Sequence, residues 1–177
     1  MMAQTFRYPN LLDVSAGHAV LAAGRIGDIP SVVCHGDPVV GDYYRVIPEQ
    51  DLTSWSFVNI TDVSAAGDVP VGTRMAISLL MRVGGEPYHA YPNLLLGQGI
   101  DGLLGSIAYS HEDVGGGWSM CITTGVRTSM AYKGQIFYAA TSSLKPKAGT
   151  TIDFAQPMVC VADEPHAWAP AAGEVWP

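Results

Sequence analysis

Residues 150–170 read TTIDFAQPMVCVADEPHAWAP. Ile152 and Phe154 alternate with Thr151 and Asp153, the two-residue period of a half-buried strand. Pro157 has no N–H to give to a ladder, so the strand must bulge there or lie at a sheet edge. Val159 and Val161 resume the alternation. Trp168, between two alanines and shortly before Pro170, reads as an aromatic plug over the open end of a core. Strand, turn and capping tail together point to an antiparallel sandwich closed by its own last segment. They point away from a nucleotide-binding or helical enzyme.

The rest of the chain follows the same pattern. Strand-like segments recur between Gly, Pro, Asp and Ser clusters, as in an all-β sandwich or barrel. Residues 42–47 (DYYRVI) and 55–63 (WSFVNITDV) are two, the second with Trp55, Phe57 and Asn59 on one face. Residues 64–72 form a turn-rich connector. Residues 74–83 (RMAISLLMRV) are the cleanest strand: Met75, Ile77, Leu79, Met81 and Val83 make one apolar face, and Leu80 breaks the polar one. Burying those five side chains contributes on the order of 10 kcal/mol before entropy. Residues 118–126 (WSMCITTGV) alternate with Trp118, Met120 and Ile122 expected inward, and residues 135–140 (QIFYAA) follow. Gly97, Gly99, Gly102 and Gly105 would each cost a helix about 1 kcal/mol, so residues 93–108 read as strand and loop.

The chain has 177 residues, enough for one domain with a real core. We divide it into an arm (1–9), a sandwich (10–170) and a tail (171–177) whose Trp176 could dock. A net charge of −7 disfavours non-specific binding to nucleic acid or to an anionic membrane surface. No apolar run approaches the roughly 20 residues of a membrane span. Residues 1–10 lack the apolar core of a secretory signal, so folding in a cytoplasm is expected. The three cysteines, Cys34, Cys121 and Cys160, are too widely spaced for a metal clip, and their odd number argues against a disulfide framework. Buried thiols are the expectation.

Catalytic signatures are missing: the chain has no GxSxG elbow, phosphate-binding loop or HExxH motif. His18, His35, His89, His111 and His166 are scattered. The acidic pairs Glu112–Asp113 and Asp163–Glu164 read as solvated turn residues, although two carboxylates flanking a cleft could hydrolyse a glycosidic bond. Asn59-Ile60-Thr61 fits a glycosylation acceptor but lies within a strand pattern. The expectation is a protein that is not an enzyme. One constellation suggests binding. Glu86, Tyr88, His89, Tyr91 and Asn93 fall within eight residues after the cleanest strand. Aromatic rings stack on sugar C–H faces while Glu, His and Asn bond hydroxyls. Alternatively, Tyr88 and Tyr91 cover the sandwich edge or pack against a neighbouring subunit. Tyr43–Tyr44 is a weaker candidate, because adjacent strand residues face opposite ways.

The order of these segments resembles the jelly-roll domains, similar to carbohydrate-binding modules, found in tail-fibre and other structural proteins of tailed bacteriophages. Asn10-Leu11-Leu12 fits their opening, Gly72–Arg82 a middle strand, and Gly117-Trp118 to Thr124 a Gly-Trp strand. Gly149 and Ile152–Pro170 resemble their closing strand, acidic turn and aromatic-Pro ending. The resemblance implies an antiparallel jelly-roll β-sandwich in a virion, partnered by other virion proteins or host-surface polysaccharide. It implies a homo-oligomer, with a trimer as the family-based guess. It also admits a capsid decoration protein, and a structural calcium ion for which Asp13 and Asp153 would be guesses; no other cofactor is implied. Two departures are the Cys160 region, where relatives commonly carry Glu, and the lack of a fibre shaft.

Overall fold

The computed structural model describes residues 20–22, 28–53, 56–59, 69–89, 92–95, 104–128, 134–138, 140 and 144–161. The described elements are all strands: Val20–Ala22 (β1), Asp28–Pro30 (β2), Val32–Asp37 (β3), Gly41–Val46 (β4), Phe57–Asn59 (β5), Arg74–Val83 (β6), Glu86–Pro87 (β7), Asn93–Leu95 (β8), Leu104–Gly115 (β9), Trp118–Arg127 (β10), Gly134–Tyr138 (β11) and Ile152–Cys160 (β12). They form two antiparallel sheets. The larger runs β3-β4-β12-β6-β10-β9, with β7 added beside β6. The smaller runs β2-β1-β5-β11-β8. The fold is the all-β sandwich that the alternating segments predict.

The main core lies between the sheets. Met75, Ile77, Leu79 and Met81 of β6 are fully buried there, with Val58 of the smaller sheet and Ile152, Phe154 and Val159 of β12. Val83 is only partly buried, at the margin. Of β5, Val58 supplies the core contact; Trp55 of the expected strand lies outside the described residues. Tyr44 stacks on Phe154 inside, at 5.3 Å between ring centroids, while its neighbour Tyr43 lies against Trp118 on the other face.

The β12 strand runs between β4 and β6, so Pro157 sits mid-sheet rather than at an edge. A bulge makes this workable. Ala155 pairs with Leu80 and Met158 with Ser78, leaving Gln156 and Pro157 opposite one residue, with Gln156 at φ 49°. Beyond β12, Val161 is exposed rather than continuing the buried row. The arm, the tail, Trp168, Trp176 and Asp163–Glu164 lie outside the described residues.

The β10 strand corrects the sequence expectation. Its core-facing residues are the odd-numbered ones, and only Cys121 of these joins the apolar cluster. Register decides this: Cys121 pairs with Leu79 and Thr123 with Ile77, and directly opposed residues share a face. Trp118 and Met120 therefore belong to the outer face. They cluster there with Leu80, Ala155, Val40 and Tyr43. The same geometry explains why Leu80 interrupts the polar side of β6: that side is covered as well. All three cysteines are free thiols; Cys121 and Cys160 are buried, as expected, and Cys34 is partly so.

Candidate functional site

Two groups of polar side chains stand out, one on each face of the large sheet. The first is buried on the outer face. Asp153 sits directly between Arg45 of β4 and Arg82 of β6 in the strand register. Arg45 donates from Nε to Asp153 Oδ1 at 2.6 Å and from Nη2 to Oδ2 at 2.8 Å. Arg82 donates from Nε to the same Oδ2 at 2.8 Å. Its Nη1 donates to Asp37 Oδ2 at 2.9 Å and to the Gly116 carbonyl at 3.2 Å. The Asp153 side chain is only 1% exposed and that of Arg82 13%, while Arg45 keeps 29% of its side chain in contact with water.

Aromatic rings roof the network. The Arg82 guanidinium lies 4.3 Å from the Trp118 ring centroid and 5.1 Å from that of Tyr43. Burial alone would raise the Asp37 pKa. The backbone N–H groups of Val39 and Val40, the Trp118 indole and the Arg82 charge outweigh it, and the carboxyl is held below its ordinary range. The indole N–H is near enough to favour that charge, yet it is buried and makes no hydrogen bond of normal geometry. Burial likewise pushes the Cys160 thiol up to about 11, which leaves it unreactive near neutrality.

The second group is exposed and includes part of the constellation expected from sequence. Glu86 is exposed on β7. Tyr88 is only 8% exposed and belongs to the main core. Its ring therefore packs in the core rather than standing open at the surface. Tyr91 and the Asn93 side chain lie outside what is described, although Asn93 itself begins β8 in the smaller sheet. His89 projects to the surface and meets β9. Its Nε2 is 3.0 Å from Asp113 Oδ1, and its ring stacks on His111 with centroids 3.7 Å apart. The bond to His89 comes first among the causes that hold the Asp113 carboxyl below its usual range; Ser119 and the charge of His111 act the same way.

The β7–β8 connection is pinned beneath this contact. Cys121 Sγ donates to the Tyr88 carbonyl at 3.2 Å, and Thr123 Oγ1 donates to the Pro92 carbonyl. These two bonds explain why β10 carries small polar side chains on its core-facing side: they satisfy carbonyls of a crossing strap.

Residues 111–113 form part of a strand rather than the expected turn. They lie on β9, at one end of the large sheet, where residues 108–116 are all exposed. Adjacent strand residues point to opposite faces, so Glu112 and Asp113 cannot converge on one substrate. Along one face, Tyr109, His111 and Asp113 make a row with His89 laid against it. Tyr109 is 50% exposed. On the opposite edge, His35 Nδ1 contacts Asp42 Oδ2 at 2.9 Å, and Val32 and Val33 are exposed.

Among the described residues no three His, Cys, Asp or Glu side chains gather as a metal group. Asp153 does not fit a calcium ligand, because both its oxygens accept from guanidinium groups. Asp13 lies outside the described residues. Sequence reasoning missed the outer-face network, although a signal was present: Asp153 stands as the lone charge of the otherwise uncharged β12, and Arg82 lies beside the apolar run of β6. No protein-family model matches the chain, and no curated protein matches it.

Proposed function

We propose that this chain is a non-enzymatic structural protein of a tailed-bacteriophage particle, a jelly roll that meets host glycan or a neighbouring protein through its β9 side. One observation carries the choice of surface. Tyr109, His111, Asp113 and His89 share one exposed face of a long edge strand, whereas the strongest charged network is consumed in packing. A flat ring beside imidazole and carboxylate groups suits sugar hydroxyls and C–H faces. The segment-by-segment likeness to phage jelly-roll domains supplies the virion setting.

Glycan-array or cell-binding measurements with Tyr109→Ala and His111→Ala test the sugar version. Loss of binding in both supports it, and undiminished binding in both removes this face from the account. A second reading, a decoration protein on the head, draws on the opposite edge, where exposed Val32 and Val33 suit a protein partner better than a sugar. Electron microscopy of the particle separates the two: density over the head lattice favours decoration, and density at the tail favours host contact. Self-association, with a trimer as the first expectation, is tested by analytical ultracentrifugation.

A further inference from the structure

We propose that β3 is a self-pairing edge: two copies of this chain join antiparallel through Val32, Val33 and Cys34, about a two-fold axis at Val33. Among the described residues β3 has a neighbouring strand on one side only, β4. Val32 opposes Arg45 and so lies on the outer face, and Val33 opposes Tyr44 and lies on the core side. They are 59% and 53% exposed. Both faces of this edge are therefore apolar and wet, where edge strands ordinarily carry a charge or a proline against stray pairing.

Charge selects a second copy as the occupant. The chain carries a net charge of −7, so a copy meets its own surface against repulsion. Residues 31–36 hold no acidic group, and His35 is paired with Asp42 of β4. The Asp37 side chain is 8% exposed and turns to Arg82. At the other edge, β9 exposes Glu112 and Asp113, which would face their own kind in a second copy. Geometry then sets the register. A two-fold axis normal to the sheet keeps every residue on its own face, so one residue must lie on the axis. Centring on Val32 would bring Pro30, which has no N–H, opposite Cys34. Centring on Cys34 would draw in Gly36, at φ 79°, and the register shift that follows Cys34. Centring on Val33 avoids both. It sets Val33 against its own copy and Val32 against Cys34 of the second copy, twice. A contact of this kind closes at two copies, unlike the trimer that the resemblance implies. Its short ladder belongs with weak, reversible interfaces.

The pairing needs neither a particle nor a glycan, so its failure leaves the reading of the β9 face standing. Sedimentation velocity of the full chain over a concentration series should show monomer passing to dimer. Val33→Lys puts two ammonium groups at the axis and should stay monomeric throughout, with the thermal midpoint of the parent monomer. Val71→Lys alters a valine of similar exposure, 52%, and should dimerise like the parent. In a Cys34→Ser background, Val33→Cys should form an intermolecular disulfide about tenfold faster than Val71→Cys, because the axis holds the two thiols within bonding range. A parent that remains monomeric, or that forms trimers without a dimer, overturns the proposal. So does undiminished association in Val33→Lys, or cross-linking of Val33→Cys no faster than that of Val71→Cys.

Discussion

The two charged clusters of this protein use similar groups and differ in where the water is. On the outer face of the large sheet, two arginines converge on Asp153 with rings laid over them. At the β9 edge, two histidines meet Asp113, whose side chain is 56% exposed. In the first cluster the shared carboxylate has given up solvent and depends on its two arginines. In the second, water can replace any partner that is removed. Identical-looking contacts near 3 Å therefore differ greatly in what they hold together.

The sharpest way to break that contrast is Asp153→Ala. It leaves Arg45 and Arg82 facing each other across a buried position with their shared counter-charge gone. The expected loss is about 3–5 kcal/mol in denaturant unfolding, the range for stranding a buried charge. A loss below about 1 kcal/mol would mean that water reaches the row and that the two clusters are alike after all.

The next effect comes from the turn that joins the two regions. Gly115, Gly116 and Gly117 link β9 to β10 with φ of 93°, 61° and 77°. A Cβ on Gly117 would stand 2.0 Å from the Gly85 carbonyl oxygen, which is backbone and cannot swing aside. The turn also carries the Gly116 carbonyl that accepts from Arg82. Gly117→Ala should cost on the order of 2–3 kcal/mol, combining clash with left-handed strain. Its thermal midpoint should fall well below that of Gly72→Ala. That position shares the positive φ but has nothing within 4 Å of the added carbon.

A smaller effect separates the clusters by acid. The Asp37 carboxyl is held below its ordinary value of 3.8, so the folded protein releases this proton more readily than the unfolded chain. Its contribution is complete above that value and disappears as pH falls through the lower, folded value. Stability measured by chemical unfolding should therefore drop below about pH 4, with a shallower drop in Asp37→Asn. An unchanged slope in that variant would show that Asp37 is not ionised within the network.

Much of the architecture was legible because strands announce themselves by period. The β6 segment matched the expected boundaries residue for residue, and Pro157 forecast its bulge. The β10 strand was misread because period alone cannot say which of two faces is the core. Trp118 is the largest side chain in that strand, yet it packs outside against Arg82, while small Cys121 and Thr123 face in to serve the strap. Strand pairing settles this, and pairing is a long-range property. The candidate site was legible only in part. His89 was singled out, but its partners lie more than 20 positions away, on a strand read as a turn because its residues are polar on both sides. An edge strand exposed on both faces has no apolar alternation to betray it. Its charges and the nearby register shifts are devices that discourage stray edge-to-edge pairing.

The smallest expected effect is Asp113→Asn on global stability. The carboxylate and both imidazoles stand in solvent, and the amide can still accept a hydrogen bond from His89. The unfolding midpoint at neutral pH should not move beyond measurement error, and added salt should not distinguish the variant from the parent. Local protection at β9 can change without global stability following it, since an edge strand opens well below the free energy of complete unfolding. A double-mutant cycle with His89→Ala should likewise give no coupling in global unfolding. A coupling comparable to that of Arg82 with Asp153 would place the β9 edge within the cooperative core. The difference between wet and dry charge pairs would then no longer explain how this sandwich is held together.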